Sequence, residues 1–360
     1  MNRPELRIHT ERFLSNIRAV RERIAPSELM LVLKDDAYGH GLSWAVEAAE
    51  RGGVGWYGSY DVRSALEVRR VLQADARIFA WATSTDAEID EALLHRIDLG
   101  VGTAEYLARI VSRAQTLGLR AGVHLKIDTG LHRNGLLPEE WEQTVAAARA
   151  AEAGGHVALV GVWSHLAEAS DAEDDEAQRV FLEAVNLTGD PAEAPQVLHL
   201  TASAASWWRS ELRGSLSRIG AFCYGIRSAD GPELAGITPV AELVATVVDV
   251  VDDCALVGIG SFDGLPSTLA GAAVGTPAGA RALERIDHLA SRVAGWPGMA
   301  VGDEIVLFGP GGQGEESATS LAERIGTVGE EILTRLTPRV RRVIVSPSTA
   351  SGTQALLRGD

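Results

Sequence analysis

Short apolar runs separated by longer amphipathic segments set the rhythm of the first two-thirds of the chain. The runs are residues 30–34 (MLVLK), 54–60 (VGWYGSY), 77–81 (RIFAW), 97–101 (IDLGV), 123–128 (VHLKID), 157–167 (VALVGVWSHLA), 197–203 (VLHLTAS) and 215–221 (SLSRIGA). Between them, segments such as SYDVRSALEVRRVL and GTAEYLARIVSRAQTLGL repeat apolar residues at helical spacing, and Thr103 stands where it can cap the second. Strand and helix alternating eight times predict parallel strands with crossover helices, an α/β fold of the (β/α)8 TIM-barrel type. The texture changes after about residue 235. TPVAELVATVVDVVDD is β-branched and partly alternating, Gly-rich turns follow, and one helix-like stretch over 317–336 precedes a last strand, VRRVIV. The pattern predicts a barrel over residues 1–233 and a mainly β C-terminal domain over 234–360, with the first residues of the chain packing against the latter. The tail STASGTQALLRGD reads as a frayed end or short arm. The acidic stretch 169–177 reads as a surface loop and helix start.

Bulk composition fits this picture. A chain of 360 residues suits two domains, and 46% hydrophobic against 23% charged residues supplies a large core. The net charge of −16 argues against a nucleic-acid partner. Cys223 and Cys254 are the only cysteines, too few for a disulfide framework. With no leader-like apolar stretch after MNRPELR and no long apolar run, the expectation is a soluble, cytoplasmic protein without a membrane segment.

Barrel chemistry sits at the C-terminal ends of the strands. Lys34 ends the first run; burial there would depress its pKa and make it the nucleophile that a Schiff base with an aldehyde cofactor needs. A solvent-facing lysine at the barrel mouth is the plainer alternative. Barrels also bind phosphate after their seventh and eighth strands. Here those positions offer the Ser203 hydroxyl and a close backbone approach at Gly220, with the Tyr38 phenol nearby. Arg218 lies beside them, and His165 ends the sixth run two residues after Trp163. No His/Cys/Asp cluster has metal-ligand spacing, so no metal is expected.

These residues resemble the alanine racemase family. The family lysine motif, near K-A-N-A-Y-G-H-G, is matched by residues 34–41 (KDDAYGHG), and K-x-D-T-G-M-x-R-x-G by residues 126–135 (KIDTGLHRNG). GVWSHLAEAS, HLTASAA, SRIGAFCYGI, VGDEIVLFG and AERIGTVGEEIL match in order and spacing. The resemblance implies pyridoxal 5′-phosphate (PLP) joined to Lys34, with its phosphate held by Tyr38, Ser203 and the Gly220–Ala221 backbone. It further implies that His165 packs on the cofactor ring, Arg218 faces the ring nitrogen, and Arg133 contacts the cofactor hydroxyl and the substrate carboxylate. Lys126 is a candidate for carbamylation, and the active form is a homodimer with shared sites.

Departures cluster in the β-domain. Racemisation needs a proton carrier on each face of Cα, and the family supplies the second as a tyrosine in I-G-Y-A-D-G-Y-P-R. Residues 259–267 read IGSFDGLPS, so Ser261 takes the tyrosine position. The S-M-D-Q loop corresponds loosely to Arg285-Ile286-Asp287-His288, the closing R-V-P-R-x-Y aligns Ile344 with a site-lining tyrosine, and Ala202 precedes Ser203 in place of asparagine. Three functions follow: a PLP-dependent racemase or epimerase of an amino-acid substrate whose second acid/base is water on Ser261, Asp287 or His288; a one-faced PLP enzyme such as a β-hydroxy-amino-acid aldolase or decarboxylase; or a non-catalytic PLP-binding protein.

Overall fold

The computed structural model describes residues 3–189 and 195–346. The tail from residue 348 lies outside the described residues. Strand β1 (Glu5–His9) comes first, followed by β2 (Glu28–Val32), β3 (Trp56–Ser59), β4 (Arg77–Ala80), β5 (Ile97–Val101), β6 (Ala121–Lys126), β7 (Val157–Trp163), β8 (Val197–His199) and β9 (Leu216–Ile219). Strands β2 to β9 form one sheet in the order β8-β7-β6-β5-β4-β3-β2-β9, each adjacent pair parallel. The seam between β8 and β9 is bridged by Leu198 N–H on Ser215 Oγ (2.9 Å) and Arg218 N–H on the Thr201 carbonyl (3.3 Å). All eight apolar runs are therefore strands of an eight-stranded parallel barrel. Several are shorter than the runs: Lys34 stands two residues beyond β2, and His165 two residues beyond β7.

Helices wrap the outside because each buries one stripe. Ala104–Leu117 buries Tyr106, Leu107, Ile110 and Ala114, and Thr103 Oγ1 accepts the Tyr106 N–H at 3.1 Å. Inside, Met30, Trp56, Phe79, Trp163 and Leu216 form a separate apolar cluster. Gly100 makes room for it, since a Cβ there would lie 3.0 Å from both Phe79 and Trp163 ring atoms.

The remaining strands are β10 (Ala241–Val251), β11 (Cys254–Val257), β12 (Ala273–Thr276), β13 (Gly279–Ile286), β14 (Ser291–Ala294), β15 (Glu304–Phe308) and β16 (Arg341–Val345). Long β10 pairs with β15 along its first half and with β11 along its second, past a bulge between Val247 and Asp249. That closes β11-β14-β13-β12-β15-β10 into an antiparallel barrel. Strand β1 adds to its edge, antiparallel to β10 and parallel to β16. The helix-like stretch at 317–336 is two helices, Ala318–Arg324 and Gly329–Thr334, broken at Gly326 (φ 68). Asn16 clamps the helix Thr10–Ile24 to the barrel exit: its Nδ2 donates to the carbonyls of Cys223 (3.2 Å) and Thr238 (2.8 Å), and its Oδ1 accepts the Thr238 N–H (3.0 Å).

Candidate functional site

A cavity of about 960 Å³ opens at the C-terminal mouth of the parallel barrel. One wall is a backbone feature that the sequence hides. Residues Asp35, Asp36, Ala37 and Tyr38 all have φ between 53 and 55, a full left-handed turn without glycine until Gly39. Such a turn costs roughly 1–2 kcal/mol per residue and persists only when its surroundings enforce it. Here Gly39 N–H donates to the Asp35 carbonyl (2.9 Å), Asp36 Oδ1 accepts the Leu42 N–H (2.7 Å), and Arg342 Nε donates to the Gly39 carbonyl (2.7 Å). The last bond ties the turn to β16. The turn folds the Tyr38 ring back under Lys34, whose Nζ stands 5.4 Å from the ring centroid.

Beside this turn lie the other residues expected to act together. Ser203 opens a short helix, its Oγ accepting the Gly220 N–H at 3.4 Å. The Tyr38 hydroxyl lies so close that a Cβ at Gly220 would overlap it. Burial, then the carboxylate of Glu330, holds the Tyr38 phenol well above its ordinary pKa, so it is a neutral hydroxyl. Ser203, Tyr38, Gly220 and Ala221 thus converge on one small region rich in donors.

Arg218 rises from β9 with 5% of its surface exposed. Its NH1 donates to the His199 carbonyl (2.5 Å) and His199 Nδ1 (3.1 Å); its NH2 reaches the carbonyls of Ser164 (2.7 Å) and Leu200 (3.2 Å) and His165 Nδ1 (3.2 Å). Every terminal N–H is committed to a neutral acceptor, and only Nε–H takes none among the described residues. Burial without a direct counter-ion pulls the guanidinium down to about 9, further lowered by Arg133. Burial, then Arg218, Arg133 and the two lysines, lowers His165 to about 3, so its ring is neutral. Lys126, at the end of β6, lies over the Trp163 ring at 4.7 Å. Burial and then Arg133 and Arg218 lower it to about 8. Arg133 lines the cavity and makes no hydrogen bond or ion pair among the described residues.

Ser261 is elsewhere. It sits on the turn Ser261–Asp263 of the β-domain, its N–H on the Asp287 carbonyl (2.8 Å) and its Oγ 3.5 Å from His288 Nδ1. Phe262 stacks on the His288 ring at 4.8 Å. None of Ser261, Asp287 and His288 lines the cavity of its own chain, and neither does Ile344, which is exposed on β16. Glu330, on the helix Gly329–Thr334, does line the cavity beside Tyr38. Sequence reasoning also missed Glu168, a residue with φ 54 that lines the cavity and accepts the Ala205 N–H at 3.0 Å. For Glu168 the only signal was an acid three residues after His165; for Glu330 there was none.

A parallel barrel with a lysine and an anion-ready pole at its mouth, followed by an antiparallel β-barrel, defines a two-domain barrel enzyme of the PLP type. The alanine racemase N-terminal domain model matches residues 8–228, and the alanine racemase C-terminal domain model residues 245–344. The chain is 34% identical to the alanine racemase of Thermobifida fusca, over 94% of this chain and 97% of that protein. It is 36% identical to that of Beutenbergia cavernae, over 92% and 94%. The solved alanine racemase of Streptomyces coelicolor superimposes with a TM-score of 0.88 at 31% identity, over 95% of this chain and 98% of that one. The chain belongs to the alanine racemase family, whose enzymes use pyridoxal 5′-phosphate.

Proposed function

We propose that this chain works at Cα of an amino acid as a racemase or epimerase, with PLP on Lys34 and a second proton carrier that is not the family tyrosine. The convergence of Tyr38, Ser203 and the Gly220–Ala221 amides in a cavity that Arg218 also lines carries the reading. The cavity fits the cofactor: a side chain at Gly220 would fill the cradle, and Arg218 has one donor left over. When bound, PLP withdraws electrons from the Cα–H bond of an attached amino acid.

The protein's own groups do the rest. Tyr38, Ser203 and the two amides bind phosphate, with Tyr38 donating because it stays protonated. Arg218 presents Nε–H to the ring nitrogen and, as a guanidinium, retains its proton. His165 packs on the ring as a neutral imidazole. Arg133, free of partners among the described residues, binds the substrate carboxylate. Lys34 carries the cofactor and moves the Cα proton on its own face. Lys126, titrating at about 8, keeps a neutral fraction near pH 7 that can attack CO2. The amine gains a C–N bond and loses a proton, and the resulting anion pairs with Arg133.

We assign the opposite face to a group from outside the lining of the chain's own cavity. Ser261 and His288 adjoin each other on an exposed face with Phe262 and Leu289, both 56% exposed. We place that face over the cavity of a second copy in a homodimer, with His288, oriented by Ser261, as the second carrier; imidazole suits proton transfer near neutrality.

The test is holoenzyme in D2O with single L- and D-amino acids, following loss of Cα–H and product chirality. Exchange with racemisation from either enantiomer is expected. Exchange with retained chirality would overturn the racemase in favour of a one-faced aldolase or decarboxylase, and no exchange would leave a PLP carrier. Borohydride should fix the cofactor mass on Lys34; fixation elsewhere overturns the cofactor site.

A further inference from the structure

Beneath Arg218, the barrel interior holds a buried polar chain that the proposed chemistry does not use. Arg77 NH2 donates to Asp98 Oδ2 at 2.7 Å, and His124 Nε2 lies 3.5 Å from the same oxygen. His124 Nδ1 lies 2.9 Å from His199 Nε2, and His199 Nδ1 lies 3.1 Å from Arg218 NH1. Both imidazoles are fully buried and wedged among aromatic rings. Phe79 is 4.7 Å from His124 and 5.2 Å from His199, and Trp163 stacks on His199 at 5.7 Å with planes 7° apart. Neither ring can turn without repacking that cluster.

The direction of the chain follows from what each atom can do. A guanidinium has no acceptor, so His199 Nδ1 must offer its lone pair to Arg218. Burial pushes both imidazoles toward the neutral form, so each carries a single proton. The His199 proton is then on Nε2 and points to His124 Nδ1. His124 in turn is protonated on Nε2 and points to Asp98, which accepts from Arg77 as well. Reversing any link would set the His199 N–H against an Arg218 N–H, a buried donor facing a donor.

We infer that Asp98, His124 and His199 are positioning residues for Arg218, forming a one-way hydrogen-bond chain. Asp98 at one end and Arg218 at the other fix the tautomer of both imidazoles, and His199 thereby engages Arg218 NH1, with Nε–H left without an acceptor among the described residues. The consequence for the ring nitrogen rests on the proposed cofactor site, but the chain itself does not.

The experiment is long-range 1H–15N NMR of imidazole-labelled full-length protein, with and without PLP, joined to the 15N shift of ring-labelled PLP. Both histidines should show a protonated Nε2 and a bare Nδ1 in either state. In Asp98→Asn the amide oxygen must still face two donors, so the tautomers persist and kcat stays within about twofold. Asp98→Leu removes the acceptor. It leaves the chain anchored at Arg218 alone, so it should split or broaden the His124 pattern most and that of His199 less, move the PLP nitrogen shift and lower kcat about tenfold with KM little changed. Should Asp98→Leu fail to fold, His124→Phe removes the middle link, and the same expectation then falls on His199, the PLP nitrogen shift and kcat. A protonated Nδ1 on His199, wild-type shifts in the link-breaking variant, or equal damage from Asp98→Asn would each overturn the inference. Failure of the cofactor site would show separately, as no PLP on Lys34, while the tautomers of the PLP-free protein still decide the chain.

Discussion

The mouth of the parallel barrel and the exposed β-domain face around Ser261 differ in completeness. At the mouth, residues from the exits of β2, β6, β7, β8 and β9 meet within one chain, held by a left-handed turn and a guanidinium whose terminal N–H groups are all engaged. The face with Ser261, Phe262 and His288 does not line that cavity. The comparison teaches that the groups proposed to hold the cofactor, with Lys34 as one proton carrier, meet within one chain, while the proposed second carrier reaches a site only if another copy covers it.

The largest effect that could break this comparison is Lys34→Ala. It removes the amine that both carries cofactor and moves a proton, so activity should fall by at least about 10³-fold with no borohydride-fixed PLP and an unchanged circular dichroism spectrum. Cofactor fixed instead on Lys126 would show that the mouth does not single out one lysine. Gly220→Ala comes next. The added methyl meets the Tyr38 hydroxyl, and overpacking of about 1–3 kcal/mol weakens PLP binding by up to about a hundredfold. Unchanged PLP affinity by titration would remove Gly220 from the cradle.

His288→Ala sharpens the other half. Loss of a general acid–base group costs about 10²-fold or more in racemisation, while PLP affinity and exchange on the Lys34 face persist. If PLP affinity falls in step with activity, the two regions do not divide the work.

How much of this was legible follows from where each residue gets its partners. Parallel strands buried on both faces read as unbroken apolar runs, so all eight barrel strands were visible. Lys34, Tyr38, Ser203 and Gly220 were visible because strand exits place function by rule. Strand β1 was not, since ELRIH is five residues long and pairs with residues 241–244, far along the chain. The left-handed turn carries no glycine signal, because Asp36 Oδ1 and Arg342 from β16 enforce it. Glu330 entered the cavity through helix–turn packing near Gly39, which no local pattern reports. The buried chain did leave a trace: Asp98 interrupts IDLGV, and His124 shares a strand face with Lys126 in VHLK.

The smallest effect concerns acid, and it too separates the regions. His40 packs beneath the left-handed turn, its Nδ1 on the Ala37 carbonyl at 2.9 Å and its Nε2 without a partner. Burial, opposed by the bond to Ala37, lowers its pKa from 6.5 to about 4. A base with a folded pKa below its unfolded value costs nothing above pH 6.5. As pH falls toward 4, the unfolded chain takes up a proton that the folded chain refuses, so stability declines through that window. By pH 5.5 this one group costs about 1.4 kcal/mol. His165, lowered to about 3 in the cofactor-free protein, adds a similar loss in the same direction. Both belong to the barrel mouth, so hydrogen exchange of the cofactor-free protein at pH 5.5 should show β2 and β7 losing protection before β10 and β15. His40→Asn keeps a donor for the Ala37 carbonyl and cannot titrate, so unfolding titrations should recover about 1 kcal/mol of the acid loss. Protection lost first in the antiparallel barrel would place the acid-sensitive groups in the wrong half of the molecule.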